Sequence, residues 1–254
     1  MRISIIIPVY NGTNHVQLCM ASIAAQQCND VEIVCINDGS TDETLDLLQK
    51  NLPLTGMAWQ LHSQPNQGTY AAMNKGISLA KGDWLFFLGI DDRLARPEVL
   101  AAVLPHLDVN KAELVYGDVQ LTSNGQAYNG AYTLHRLYYE SNICHQAMFY
   151  HRSVFDRIGN YNTTYRIWAD WDLNIRLFAH PGMRTQYINE TIAVYNDLSG
   201  ISSRQDPEFR RYLPVCLLGD AEAQRRQLQE TEIWQTGERW LPRLKKWRRW
   251  LFWK

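Results

Sequence analysis

Asp91 and Asp92 are adjacent acids that follow the apolar run Trp84-Leu85-Phe86-Phe87-Leu88 and precede Arg93 and Pro97. Two neighbouring side chains cannot face the same way in a strand, so this pair belongs in the turn beyond one. Paired carboxylates in a crevice repel each other unless a cation lies between them, and a hard divalent ion with oxygen ligands is the usual solution. A nucleotide diphosphate, itself negative, would need that ion. The competing interpretation is that the pair opens a helix near 97–104, where acids favour the N-terminus. Other phosphate and acyl chemistries are excluded: the chain has no G-x-x-x-x-G-K-[ST] loop, no G-x-G-x-x-G after its first apolar run and no G-x-S-x-G elbow.

The elements that must position these acids alternate along the first hundred residues. Short β-branched runs without period-2 polarity predict strands buried on both faces at Ser4 to Val9, Glu32 to Ile36, Ala58 to His62 and Trp84 to Leu88. Helices are expected between them, over about Val16 to Gln26, Asp42 to Lys50 and Tyr70 to Lys81. Ser40 and Glu43 stand at capping-box spacing before the second, and Gly82 is placed to end the third. This order implies a mainly parallel α/β sheet with right-handed crossovers, in which ligands bind beyond the carboxyl ends of the strands. The residues there are Tyr10-Asn11-Gly12, Asn37-Asp38-Gly39-Ser40, Ser63 to Gly68 and Gly89-Ile90-Asp91-Asp92. Further on, Glu113 to Gln120, Cys144 to Tyr150 and Thr185 to Asn196 suggest strands, and Trp168 to Ala179 a helix.

Charge is uneven. The formal net charge of −1 over 254 residues suggests no preference for nucleic acid or membrane. Yet Arg239 to Lys254 hold seven Lys or Arg and no acid, leaving 18 basic against 26 acidic side chains in the body, a balance near −8. Five cysteines without metal-ligand spacing fit a reducing cytosol. The apolar start, Ile3 to Val9, is too short for a signal-peptide core, and no stretch approaches the roughly 20 apolar residues of a membrane span.

Taken together, Ser-Ile-Ile-Ile-Pro-Val-Tyr-Asn-Gly (4–12), Asn-Asp-Gly-Ser-Thr-Asp-Glu-Thr (37–44), Asn-Gln-Gly-Thr-Tyr-Ala-Ala-Met-Asn-Lys-Gly (66–76) and Gly-Asp-Trp-Leu-Phe-Phe-Leu-Gly-Ile-Asp-Asp (82–92) resemble the family-2 glycosyltransferases of GT-A fold. The likeness continues through Cys-His-Gln-Ala-Met-Phe-Tyr, Ala-Asp-Trp-Asp-Leu-Asn-Ile-Arg (169–176) and Ser-Gly-Ile-Ser (199–202). It implies a catalytic domain over 1–203, with a nucleotide-sugar half (1–112) and an acceptor half (113–203), followed by a helical extension over 204–254. By this resemblance Pro8, Tyr10 and Asp38 hold the nucleoside, Asp38 accepting from base or ribose, unless it is only an Asx-turn residue. Gly68 lets backbone approach the ligand, and Asn74 and Lys75 lie on the helix that follows, Lys75 either on phosphate or in solvent. Asp91 and Asp92 bind Mg2+ or Mn2+ against the diphosphate, and Asp91 also faces the nucleotide. Many relatives carry an acid at the place of Gly89, which leaves fewer carboxylates here.

The resemblance makes Asp170 the general base that takes the proton of the attacking hydroxyl as the anomeric carbon inverts, with a helix cap as the bland alternative. Ala169 replaces an acid common in relatives. Asp172 is the rival base, but two residues apart on a helix the two acids cannot share a face. His145 and Gln146 face the acceptor or the diphosphate, or are structural. Trp168 and Trp171 stack on a sugar or pack as core. A helix from Pro242 would carry Leu244, Trp247 and Leu251 on one side and basic residues on the others, a pattern suited to an anionic membrane surface. The implied partners are a nucleotide-sugar donor and a saccharide or lipid-linked saccharide acceptor, in bacterial surface polysaccharide assembly on the cytosolic face. The alternatives are a non-catalytic nucleotide-sugar or glycan-binding module and a sugar-phosphate nucleotidyltransferase, the latter lacking its Gly-rich basic loop.

Overall fold

A computed structural model describes residues 3–128, 130–198 and 205–213, so the basic tail Arg239–Lys254 and the predicted helix from Pro242 lie outside the described residues. The chain divides into the units Met1–Phe209 and Arg210–Lys254, and the first carries everything below. Its opening elements are β1 (Ile3–Val9), α1 (Val16–Ala24), β2 (Val31–Asn37), α2 (Thr44–Asn51), β3 (Ala58–Ser63), α3 (Thr69–Leu79) and β4 (Trp84–Phe87). These four strands pair in parallel in the order β3-β2-β1-β4. Every residue of β1, β2 and β4 is buried, as runs without alternation require when helices cover both faces. β3 departs from that expectation. It is half exposed along its length, because among the described residues no strand pairs beyond it.

The chain leaves β1 toward β2 on one side and later enters β4 on the other, so a crevice opens beyond the carboxyl end of β1. The remaining elements build its far wall: β5 (Arg93–Leu94), α4 (Val99–Val103), β6 (Leu114–Leu121), β7 (Ala127–Tyr128), α5 (Leu134–Tyr139), β8 (Met148–His151), α6 (Ser153–Ile158), α7 (Ala169–Ala179) and β9 (Thr185–Tyr195). The sheet continues β4-β8-β6-β9-β5, with β7 on β6. β8 runs antiparallel to β4 and β6, whereas β9 is parallel to β6 and so to β4. The start of β8 and the end of β9 therefore lie at the same edge as the carboxyl ends of β1, β2 and β4. Among the described residues no helix is long and apolar enough to cross a membrane.

Four local expectations are corrected. The Ser40–Glu43 capping box does not form, because Ser40 Oγ accepts the Asn11 N–H (3.0 Å) while Asp42 Oδ1 takes the Thr44 N–H (3.1 Å) at the start of α2. α3 stops at Leu79 with Ala80 already extended, and Gly82 lies against β1 instead, its N–H donating to Ser4 Oγ (2.8 Å). β5 intervenes between Asp92 and α4, so the paired acids do not open that helix. The predicted strand from Cys144 begins as a 3-10 turn, His145–Ala147, and only then becomes β8.

Candidate active site

Two turns at the carboxyl edge are stapled to each other. Asn11, held at φ 49°, accepts the Thr41 N–H on Oδ1 (2.9 Å), and the Gly12 N–H donates to Thr44 Oγ1 (2.7 Å). Pro8 is buried in β1, while Tyr10 emerges from this frame 53% exposed. Asp38 is only 2% exposed, and its carboxylate accepts from Gln64 Nε2 (2.8 Å), the Gln67 N–H (3.0 Å) and the Gly68 N–H (2.8 Å). Those bonds make Asp38 the anchor of the loop that leads into α3. Gly68 has φ +94° and open space where a Cβ would stand, so the loop presents bare backbone to the crevice.

Asn74 lies farther along α3. Its amide is taken up by the Tyr161 backbone, Nδ2 donating to the carbonyl (2.9 Å) and Oδ1 accepting the N–H (3.1 Å), which ties α3 to the segment before α7. Lys75, one residue on, is exposed.

Across the crevice, Asp92 is 3% exposed and doubly anchored. Oδ1 accepts the Asn196 N–H (2.8 Å) at the end of β9, and Oδ2 accepts from Gln146 Nε2 (2.8 Å) just before β8. Asp91 is half-buried, with Asn196 Nδ2 reaching its Oδ2 at 3.4 Å. Both carboxylates bend back over Gly89, where an ideal Cβ would stand 2.5 Å from Asp92 Oδ2 and 2.9 Å from Asp91 Oδ1. Burial first, and then the Asp91 charge, push the Asp92 carboxyl up to about 6. Gln146 is therefore a buried support for Asp92.

His145 points the other way along the same turn, its Nδ1 3.5 Å from Asp170 Oδ2. Asp170 sits in the first turn of α7, buried, with Oδ1 accepting the Trp171 N–H (2.9 Å) and lying 2.9 Å from the Tyr70 hydroxyl. Asp172 turns away, as the helical spacing requires, into an ion pair with Arg176 (2.8 Å) that leaves it no part at the crevice. Trp171 gives its indole N–H to the Leu137 carbonyl (2.7 Å) and packs with Trp168 and Phe209. Ala169 is fully buried.

Three site residues escaped the sequence reading. Asn196 was within reach, since it follows β9 and the strand-end rule that picks Asp38 and Asp91 picks it too. Tyr70 had no signal beyond its place two residues after Gly68. Asp206, whose carboxylate takes the Ile167 N–H (2.8 Å), is far along the chain and needed the fold.

The two converging acids suit a hard divalent cation. Such an ion accepts one or two protein carboxylates and completes its shell with diphosphate oxygens and water, and it would offset the burial and the Asp91 repulsion that raise Asp92. Among the described residues no group of three or more His, Cys, Asp or Glu could hold a metal ion, so within them the candidate ligands are these two carboxylates.

Comparison with known proteins matches these features to a family. The chain matches the model for Glycosyl transferase family 2 over residues 4–169. It is 45% identical over 214 residues to the PGL/p-HBAD biosynthesis glycosyltransferase of Mycobacterium bovis, covering 84% of each chain. Its fold resembles S. aureus TarS 1-349 in complex with UDP-GlcNAc, with a TM-score of 0.72 and 19% identity over 86% of this chain and 67% of that one. It also resembles the mannosyltransferase PcManGT from Pyrobaculum calidifontis in complex with GDP-Man and Mn2+, with a TM-score of 0.62 and 17% identity over 82% of this chain and 59% of that one. The chain spans 37% of a longer TarS chain. These structures share the GT-A fold. Matched by the family model over 4–169 and by a relative at 45% identity along most of both sequences, the chain belongs to glycosyl transferase family 2.

Proposed function

We propose that this glycosyltransferase moves one sugar from a nucleoside diphosphate sugar to a hydroxyl of a saccharide acceptor, lipid-linked, with inversion at the anomeric carbon. The acceptor oxygen attacks that carbon while its proton passes to the Asp170 carboxylate. The bond to the diphosphate breaks, and its electron pair leaves with the nucleotide. Pro8, Tyr10 and the bare backbone at Gly68 line the nucleoside side, Asp38 fixes the loop that carries Gly68, and Lys75 is free to meet phosphate. Asp91 and Asp92 face the diphosphate. Mg2+ or Mn2+ between these acids would supply positive charge against the leaving group.

The observation that carries the reading is the turn His145–Ala147. Its first residue meets Asp170 and its second holds Asp92, so the base and the leaving-group acids are set by one short piece of backbone. Inversion needs these two functions on opposite sides of the anomeric carbon at a fixed separation. The names of the relatives agree with the substrate classes: one acts in PGL/p-HBAD biosynthesis, and the structural neighbours were captured with UDP-GlcNAc and with GDP-Man and Mn2+. The basic, tryptophan-rich tail Arg239–Lys254 rests the enzyme on the anionic cytosolic face of the membrane, where lipid-linked acceptors in surface polysaccharide assembly reside.

The test is transfer and nucleotide release across a panel of nucleotide sugars with Mn2+. Asp170→Asn and Asp92→Ala should each lower turnover by about 10²-fold or more with an unchanged circular dichroism spectrum. Near-normal turnover in either variant refutes its role. Metal-dependent binding of a nucleotide sugar without any release of nucleotide would make the chain a binding module instead.

A further inference from the structure

Asp206 lies past the expected boundary at residue 203, yet it belongs to the same unit as the crevice and is 3% exposed. Its Oδ2 accepts the Ile167 N–H (2.8 Å) and the Trp168 N–H (3.2 Å), and its Oδ1 accepts the Phe209 N–H (3.3 Å). Phe209 packs edge-on against Tyr165 and Trp168, with ring centroids 5.5 and 5.8 Å away. Residues 167 and 168 are the entry to α7, and Trp168 at its N-cap offers no side-chain cap. A buried carboxylate from outside the helix holds that entry in its place.

The peptide so held aims its carbonyl at Tyr70. The Tyr70 hydroxyl is 2.6 Å from the Ile167 oxygen and 2.9 Å from Asp170 Oδ1. A phenol has a single proton, so two acceptors compete for it, and the carbonyl has the shorter bond. A proton given to Asp170 would stabilise its ionised form and weaken it as a base, whereas one given to the carbonyl leaves the carboxylate available to the acceptor hydroxyl.

We propose that Asp206 and Tyr70 are positioning residues for Asp170: Asp206 fixes the Ile167 peptide so that its carbonyl takes the Tyr70 proton, which keeps that proton off the base. The proposal rests on the assignment of Asp170 as the base. The groups facing Asp170 are Tyr70 on α3, Cys144 and His145 before β8, Tyr150 on β8 and Tyr161 ahead of α7, with Asp206 acting on it through Tyr70. Burial holds Tyr70, Tyr150, Tyr161 and Cys144 well above their ordinary ranges, so they stay neutral, and His145 is left in place in every variant.

The experiment is a pH titration of the Asp170 carboxyl carbon by NMR in the full-length, metal-free protein labelled at aspartate, with the signal assigned by its loss in Asp170→Asn. Asp206→Asn should lower the Asp170 midpoint by about one pH unit, the scale of one hydrogen bond to a carboxylate, and by less than half as much in a Tyr70→Phe background. Equal shifts in the two backgrounds would mean that Asp206 acts by charge alone and would overturn the proposal, as would no shift. Asp206→Glu, which keeps the charge and both acceptors, should restore the wild-type value. Tyr70→Phe alone decides the matter if Asp206→Asn does not fold: the midpoint should not rise, and a rise of about one unit would show that Tyr70 already gives its proton to Asp170. Retained sugar transfer in Asp170→Asn would remove Asp170 as the base, an outcome read separately from the titration.

Discussion

Replacing Gly89 by alanine sets a methyl group where an ideal Cβ stands 2.5 Å from Asp92 Oδ2 and 2.9 Å from Asp91 Oδ1. Carbon and oxygen settle at about 3.4 Å, so the Asp92 oxygen must retreat by about 1 Å. Asp91 is half-buried and can swing outward. Asp92 cannot, because it is buried and pinned by Asn196 and Gln146, each at 2.8 Å. Its retreat carries the Gln146 bond past hydrogen-bonding range, and losing that bond on a buried charge costs about 1.5–3 kcal/mol. At about 2–4 °C per kcal/mol for a chain of this size, Tm should fall by about 3–12 °C in scanning calorimetry. If these acids face the leaving group as proposed, a 1 Å error in their placement should lower turnover by about 10²-fold. Gly89→Asp should fare no better, because its Cβ alone displaces the pair. The reasoning fails if Gly89→Ala unfolds within about 1 °C of wild type and turns over within about threefold of it.

Asn74→Ala should lose about 2 kcal/mol in urea denaturation, from two hydrogen bonds to the Tyr161 backbone, with the donor KM unchanged; a raised KM at unchanged stability would return Asn74 to the nucleotide site. In chelator at pH 7, Asp92→Asn should be more stable than wild type. The folded carboxyl is raised to about 6 against about 3.9 unfolded, so the charged form penalises folding fully above pH 6, and the penalty disappears as pH falls from 6 to 4. A stability gap that stays constant from pH 8 to pH 4 would contradict that sign. Deleting residues 239–254 should move the protein from the membrane pellet to the soluble fraction, and an unchanged distribution would remove the tail as an anchor.

What could be read from the sequence was whatever local pattern determines. β1, β2 and β4 are continuous buried runs, and strands of that kind carry their signature in composition alone. The acids at their ends followed from the parallel order. What stayed hidden depends on partners distant in sequence. No local pattern around Asp38 shows that Gln64, Gln67 and Gly68 donate to it. Asn74 shares a motif with Gly68 yet serves a backbone 87 residues away. β3 resembles a buried strand in sequence, but only pairing shows that it is the edge. His145 and Gln146 read as the start of a strand, where adjacent side chains would also part; only the 3-10 turn shows what each one meets.

That turn bears on why an antiparallel strand belongs in this sheet at all. In a purely parallel continuation, the element after β4 would end at the carboxyl edge and contribute one strand-end loop. Running backwards, β8 begins there instead, and its first residues arrive pinned by the sheet register Phe86↔Phe149 and Val115↔Phe149 on both sides. Gln146 and His145 lie two and three residues ahead of Met148, so the register limits how far either can drift. The buried Phe86–Phe149 stack, with centroids 4.5 Å apart, fixes the same point from one face. Asp92 and Asp170 come from separate halves of the chain, and the turn before β8 meets both of them. The start of β8 gives them a common reference, so a packing change at Phe149 should disturb leaving-group departure and proton removal together.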